Sequence, residues 1–221
     1  MLRGKKAVIF DLDGTLIDSM WVWTEVDHKY LKKFQIQPPP GLHEAIEGMS
    51  FTEGARYFKE TFGIADSIEE IMLEWNRMAF QVYVEEVPMK PGAYDFVKKI
   101  RKLGLKTAIA TSNSTHLVET VLKVHGLLED FDAIVTADDV PEGKPNPQIY
   151  LEAAARIQVP PENCLVFEDI SMGILAGQRA GMTTCAVKDA FSDYQWEKKV
   201  EMADYHIENY NEVPVEENRQ L

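Results

Sequence analysis

The residues most able to do chemistry form one short run, Asp11-Leu-Asp-Gly-Thr-Leu-Ile-Asp-Ser19. They follow Ala7-Val8-Ile9-Phe10, which reads as a fully buried parallel strand. Asp11 and Asp13 stand two residues apart, and in an extended chain that spacing turns both to the same side. Two like charges at the end of a buried strand have little structural purpose. A hard cation and a phosphoryl group between them would supply one. The same residues admit a plainer reading: Asp13-Gly14 between apolar residues is a hairpin signal, so the run could be two strands around a type I′ turn. The rest of the chain decides against the hairpin as a complete account.

The elements that must position these residues change character after Ser19. From Met20 to about Tyr83 the pattern is helical throughout. The first helix, Met20 to Phe34, carries Val22, Trp23, Val26, Tyr30, Leu31 and Phe34 on a broad apolar face, and Pro38-Pro39-Pro40-Gly41 stops it. A short helix through Ile46 follows. Ser50-Phe-Thr-Glu53 and Ser67-Ile-Glu-Glu70 are capping boxes that open two more helices. The second of these buries Ile68, Ile71, Met72, Trp75, Met78, Ala79, Val82 and Tyr83. Val87 to Gly92 reads as a linker.

Strands and helices then alternate. Strands are expected at Leu105–Ala110, Ala133–Thr136, Cys164–Phe167 and Met182–Val187. Helices lie between them, one capped by Asn146 with Pro147 at its first position. This alternation makes a doubly wound parallel α/β sheet. The helical block interrupts it directly after the first strand. The expected organisation is a core of residues 1–17 and 88–221 with a small helical cap inserted at 18–87. The acidic tail from Glu212 is expected to fray.

Bulk properties bound the function. The 221 residues are 45% hydrophobic and carry a net charge of −13, which argues against nucleic acid as a partner, because phosphate backbones are held by basic patches. A small phosphate ester is not excluded: a local cation and one lysine can make a site positive across a Debye length of about 8 Å. No apolar stretch approaches a membrane span. Only four apolar residues follow the basic N-terminus, too few for a signal peptide, so the expected location is cytoplasmic. Cys164 and Cys185 both sit in apolar runs without metal-ligand spacing and read as core residues.

In open parallel sheets ligands sit outside the carboxyl ends of the strands. Those ends carry Asp11 and Asp13, then Thr111-Ser112-Asn113, then Glu168-Asp169, with Gly143-Lys144-Pro145 on a loop between. Singly, the serine–threonine run could be a helix cap, Lys144 a solvated lysine, and Glu168-Asp169 another cap. Together and in this order they resemble the four motifs of the haloacid dehalogenase superfamily of phosphotransferases. The closer likeness is to members with a small helical cap after the first motif, the β-phosphoglucomutase and phosphatase-like branch.

The resemblance implies a Mg²⁺ site made by Asp11, the carbonyl of Asp13, Glu168 and Asp169. It implies Asp11 as the nucleophile that forms an aspartyl-phosphate, and Asp13 as the acid and then base. Lys144 would offset charge. The Thr111 hydroxyl, Asn113 and the amides around Leu12, Asp13 and Ser112 would hold the phosphoryl oxygens. Asp at position 13 favours phosphate esters over the dehalogenase and phosphonate branches. The substrate is then a small phosphorylated metabolite such as a sugar phosphate, and the chain is expected to be a monomer.

A mutase of this branch would carry a histidine on the first cap helix and an arginine after a Gly-Val-Ser-like turn. Here Trp23 and Phe51 fall near those places, with the turn reading Gly48-Met49-Ser50. Neither ring has a cationic fork, so hydrolysis is preferred to a β-phosphoglucomutase-like transfer. A catalytically silent binding member is the third alternative, and no motif residue is missing to favour it. Met20, Trp23 and Phe51 either pack within the cap or face the active site. In the second case the substrate should offer an apolar or ring face rather than another charge. Ile170 stands where the branch usually has serine.

Overall fold

The structure is a computed structural model that describes residues 1–47 and 49–214. Gly48 and most of the tail discussed above, residues 215–221, lie outside the described residues. Among the described residues six strands form one parallel sheet: β1 (Ala7–Phe10), β2 (Lys106–Ala110), β3 (Ala133–Val135), β4 (Cys164–Glu168), β5 (Thr183–Val187) and β6 (Tyr205–Ile207). Their order across the sheet is β3-β2-β1-β4-β5-β6. Strand β1 is therefore central, with the chain running outward to either side of it. Such a reversal opens a crevice at the carboxyl edge, the position where open α/β sheets hold ligands.

Register fixes which residues meet there. Phe10 pairs with Ile109 of β2 and with Phe167 of β4, so the residues that follow emerge side by side. These are Asp11, Thr111 and the pair Glu168-Asp169. The Asp11 amide donates to the Phe167 carbonyl at 3.0 Å, holding the first aspartate against the fourth strand.

Alternation along β1 feeds two cores. Val8 and Phe10 point to one face, where Phe10 stacks on Phe167 at 5.3 Å and meets Phe96 edge-on. Ala7 and Ile9 point to the other, against Ile149, Tyr150 and Ala176. Helices α1 (Met20–Lys33), α2 (Leu42–Ile46), α3 (Phe51–Phe62) and α4 (Ile68–Glu85) all lie between β1 and β2 in the chain. Helices α5 (Ala93–Lys102) and α6 (Thr115–Val124) cover the first face; α7 (Gln148–Arg156) and α8 (Ser171–Arg179) cover the second. Helix α9 (Trp196–Met202) precedes the last strand.

Both capping boxes form: the Ser50 and Ser67 hydroxyls accept from the amides of Glu53 and Glu70, whose carboxylates accept in return. Helix α4 buries Ile71, Trp75, Ala79 and Tyr83 fully, while Ile68, Met72, Met78 and Val82 are partly covered. Cys164 and Cys185 are buried in β4 and β5 as expected.

The Asp11–Ser19 run is no hairpin, in line with the reading that the rest of the chain favoured: the chain turns at Gly14, with φ +78°, and Asp13 and Ile17 make only an isolated bridge. Two expectations are corrected. Pro147 stands just before α7 rather than inside it, although the Asn146 side chain still accepts from the Gln148 amide at 3.0 Å. The sheet has a sixth strand, Tyr205–Ile207, with α9 before it.

Candidate active site

Three carboxylates converge at the centre of the carboxyl edge. Asp11, Glu168 and Asp169 each present an oxygen, and these atoms lie within 4.8 Å of one another. All three are buried, at 6%, 0% and 2% exposure, so solvent does little to separate their charges. Lys144, 5% exposed, reaches in from its loop: its Nζ is 2.6 Å from Asp11 Oδ1 and 2.5 Å from Glu168 Oε1. Tyr150 of α7 also donates to Glu168 Oε1. One ammonium thus stands against three carboxylates.

The electrostatics follow from that imbalance. Burial pushes the Asp11 carboxyl up to about 7, with Glu168 adding to the rise and Lys144 opposing it. Burial also lifts Asp169 well above the carboxylate range, reinforced by Asp11 and Glu168. Burial alone would lower Lys144, but Asp11 and Glu168 together hold it above the usual lysine range. A divalent cation among these oxygens reverses that logic, because its charge favours the ionised carboxylates.

The donor set fits such an ion. Asp169 Oδ1 accepts from Thr15 Oγ1 at 3.0 Å, while its Oδ2 is buried with no partner among the described residues. Oxygen-only ligands suit magnesium, which also retains waters. The backbone is shaped around the acids. A Cβ on Gly14 would fall 2.3 Å from Asp169 Oδ2, and one on Gly173 would fall 1.9 Å from Glu168 Oε1. Behind the site Lys199, wholly buried, donates to the Asp169 carbonyl at 2.6 Å and to Ser192 Oγ at 2.8 Å.

Asp13 stands apart from this cluster. Its carboxylate accepts from Ser19 Oγ at 2.6 Å, from the Tyr83 hydroxyl, and from Asn113 Nδ2 at 2.9 Å. Burial, then the Asp13 charge, raises the Tyr83 hydroxyl well above the ordinary tyrosine range, so it remains a donor. The amides of Leu12, Asp13 and Ser112 donate to no acceptor among the described residues. Thr111 Oγ1 accepts from the Asn113 amide at 3.2 Å.

These groups open into one cavity. Asp11, Asp13, Thr111, Ser112, Asn113, Lys144 and Asp169 border it from the sheet, and Met20, Trp23 and Phe51 from the helices. The two alternatives for the aromatic residues both hold: Trp23 and Phe51 face the cavity and also pack edge-on, with centroids 5.6 Å apart. The structure therefore brings every residue singled out in the sequence to one place, Leu12 through its backbone. It adds Thr15 and Ser19, which lie in the first motif, and Tyr83, Tyr150 and Lys199, whose contacts join segments far apart in the chain.

Fold and site together define a doubly wound α/β protein with an acidic centre at its topological switch point. The chain belongs to the haloacid dehalogenase-like hydrolases, whose family model matches residues 5–181. It is 34% identical over 181 residues to the bifunctional riboflavin kinase/FMN phosphatase of Arabidopsis thaliana, covering 81% of this chain and 48% of that protein. The chain thus spans about half the length of that relative. It is 32% identical over 177 residues to the phosphorylated carbohydrates phosphatase of Thermotoga maritima, covering 80% of this chain and 82% of the relative. In structure it matches CbbY from Rhodobacter sphaeroides in complex with phosphate, with a TM-score of 0.84 over 94% and 96% of the two chains at 24% identity. That last likeness is one of fold.

Proposed function

We propose that the chain is a Mg²⁺-dependent phosphomonoester hydrolase that works through an aspartyl-phosphate on Asp11. The observation that carries this reading is the buried carboxylate trio with the orphaned Asp169 Oδ2, set beside Lys144 and three undonated amides. Asp11, the Asp13 carbonyl, Glu168 and Asp169 would hold the ion. When bound, it supplies the positive charge that lets an anionic ester approach a carboxylate.

The protein's own residues carry the steps. The amides of Leu12, Asp13 and Ser112, with Thr111 Oγ1 and Asn113, receive the phosphoryl oxygens as charge develops. An Asp11 oxygen bonds to phosphorus while the ester P–O bond breaks, and the departing alkoxide takes a proton from the Asp13 carboxyl. Water then attacks phosphorus, gives its proton to the Asp13 carboxylate, and the Asp11–phosphorus bond breaks to return the free carboxylate. Lys144 offsets the charge that moves between Asp11 and phosphate.

Residues 18–87 act as the cap over a core of 1–17 and 88–221 in this account. Three contacts support a closing role. Glu53 accepts from the Gly143 amide at 3.0 Å, Glu47 accepts from the Tyr194 hydroxyl at 3.1 Å, and Ser114 donates to Asn76. Closure excludes bulk water while Asp11 is phosphorylated. Transfer to a second hydroxyl, the mutase alternative, would call for a cation to grip a second phosphate. Among the described residues Lys144 is the only lysine or arginine bordering the cavity, and it is engaged by Asp11 and Glu168.

Release of inorganic phosphate from an aryl phosphate, lost on chelation and restored by Mg²⁺, tests the reading. Asp11→Asn should abolish it with the fold intact. Following a hexose 1-phosphate by phosphorus NMR separates hydrolysis from transfer: free phosphate supports the proposal, and a 6-phosphate isomer overturns it.

A further inference from the structure

The cavity wall supplied by α1 is a single helical stripe. Met20, Trp23 and Asp27 recur at i, i+3 and i+7, and all three border the cavity. Met20 marks the acidic end, since its Cγ lies 3.0 Å from where a Gly14 Cβ would stand, next to Asp169. Seven residues of helix place Asp27 about 10 Å further along the axis.

Asp27 reaches that far end with no hydrogen bond or ion pair among the described residues, and burial pushes its carboxyl up to about 7. His43 of α2 borders the same cavity. Its Nε2 is buried without a partner among the described residues, and its ring packs edge-on against Phe191 at 4.2 Å. Burial lowers its pKa, which favours the neutral ring. Buried polar atoms are nearly always satisfied, so the orphaned His43 Nε2, beside the half-buried and unpaired Asp27 on the same wall, points to a ligand that engages both. Between this end and Asp11 the wall is aromatic, with Trp23 against Phe51 and Phe51 against Trp75 at 5.6 Å and 5.5 Å. Glu47 adds a carboxylate to the border.

We infer that Asp27, assisted by His43, reads the far end of the leaving group. The site then selects esters whose alcohol portion runs about six heavy atoms in line at ordinary bond lengths and ends in a hydrogen-bond donor. It rejects those that end in a second anion. The donor is a hydroxyl or an ammonium, and the aromatic wall takes the apolar flank between. This rests on the phosphatase reading above and gives that reading a substrate class.

The test is a series on the full chain with Mg²⁺: hexyl phosphate, and the same ester ending in an alcohol, an amine or a second phosphate. Wild type should prefer a donor-ended ester over hexyl phosphate in kcat/KM by about tenfold or more, the scale of one hydrogen bond to a charged group. Asp27→Leu should erase that ratio, with circular dichroism checking the fold. Asp27→Asn, nearly isosteric, keeps an acceptor without the charge. It should retain preference for the alcohol if a hydroxyl is the natural donor, and lose preference for the amine if an ammonium is. A ratio unmoved in Asp27→Leu, or a wild type that prefers the bisphosphate, overturns the inference while leaving the phosphatase standing. No turnover of any ester overturns the phosphatase reading itself.

Discussion

Asp27 makes a prediction about stability that is independent of any substrate. Its carboxyl has an ordinary value of 3.8 and is pushed up to about 7 by burial on the cavity wall. At about 1.4 kcal/mol per unit, the rise of roughly three units sets a ceiling of about 4 kcal/mol; solvent at the cavity mouth reduces this to about 1–3 kcal/mol. The sign is fixed by linkage. Between pH 4 and 7 the folded chain binds a proton at Asp27 that the unfolded chain has released, so its contribution is full below about pH 4 and lost as pH rises through 7. Asp27→Asn cannot ionise and loses nothing. Urea unfolding of both proteins, metal-free, at pH 5, 6, 7 and 8 isolates the term, because every other group cancels in the difference. The variant's lead over wild type should already be about a third of its full size at pH 5 and should level off at about 1–3 kcal/mol by pH 8. Parallel stability curves would show that water or an unseen partner already satisfies the carboxylate, and the reasoning would fail.

Three further perturbations probe the centre. Tyr83→Phe removes one of three donors to Asp13; kcat should fall about tenfold or more on alkyl phosphates, which need the acid, and far less on p-nitrophenyl phosphate. Equal losses on both would return Tyr83 to the role of a packing residue. Gly173→Ala, which in an unconstrained helix interior would stabilise by about 1 kcal/mol, should instead lower the melting temperature and weaken Mg²⁺ binding, because its Cβ would strike Glu168. A raised melting temperature contradicts this. Lys144→Met leaves Asp11 and Glu168 buried without their cation and should cost about 3–5 kcal/mol at neutral pH in denaturant titrations, with less lost when Mg²⁺ is present. A loss unaffected by Mg²⁺ would disconnect the lysine from the metal site.

The centre is legible because parallel strands deliver their next residues to one edge, so Asp11, Thr111 and Glu168-Asp169 fall on one rim; that β1 lies between β2 and β4, which makes them neighbours, comes from the structure. Lys144 stands out in the sequence through its Gly143-Lys144-Pro145 motif, and in the structure it makes ion pairs with Asp11 and Glu168. What escaped was whatever depends on packing between distant segments. Tyr83 reads as one more apolar position on a helix, and only folding brings its hydroxyl to Asp13, 70 residues away. Asp27 reads as a polar residue on a helix surface. Its inward turn follows from the i, i+3, i+7 stripe with Met20 and Trp23, whose direction the sequence leaves open because α1 has apolar residues on more than one side. Lys199 looks solvated among Lys198 and Glu197, yet it is wholly buried against the Asp169 carbonyl. Strand β6 has three residues, two of them exposed, too short and too polar for alternation to register.

The central claim is that Asp11 takes the phosphoryl group. Acid quench of the working enzyme, followed by borohydride reduction and peptide sequencing, locates any acyl phosphate by the side chain it reduces. The account predicts reduction at Asp11, dependent on Mg²⁺ and substrate. Steady phosphate release with reduction at Asp13 or Asp169 instead, or at no aspartate at all, would contradict it.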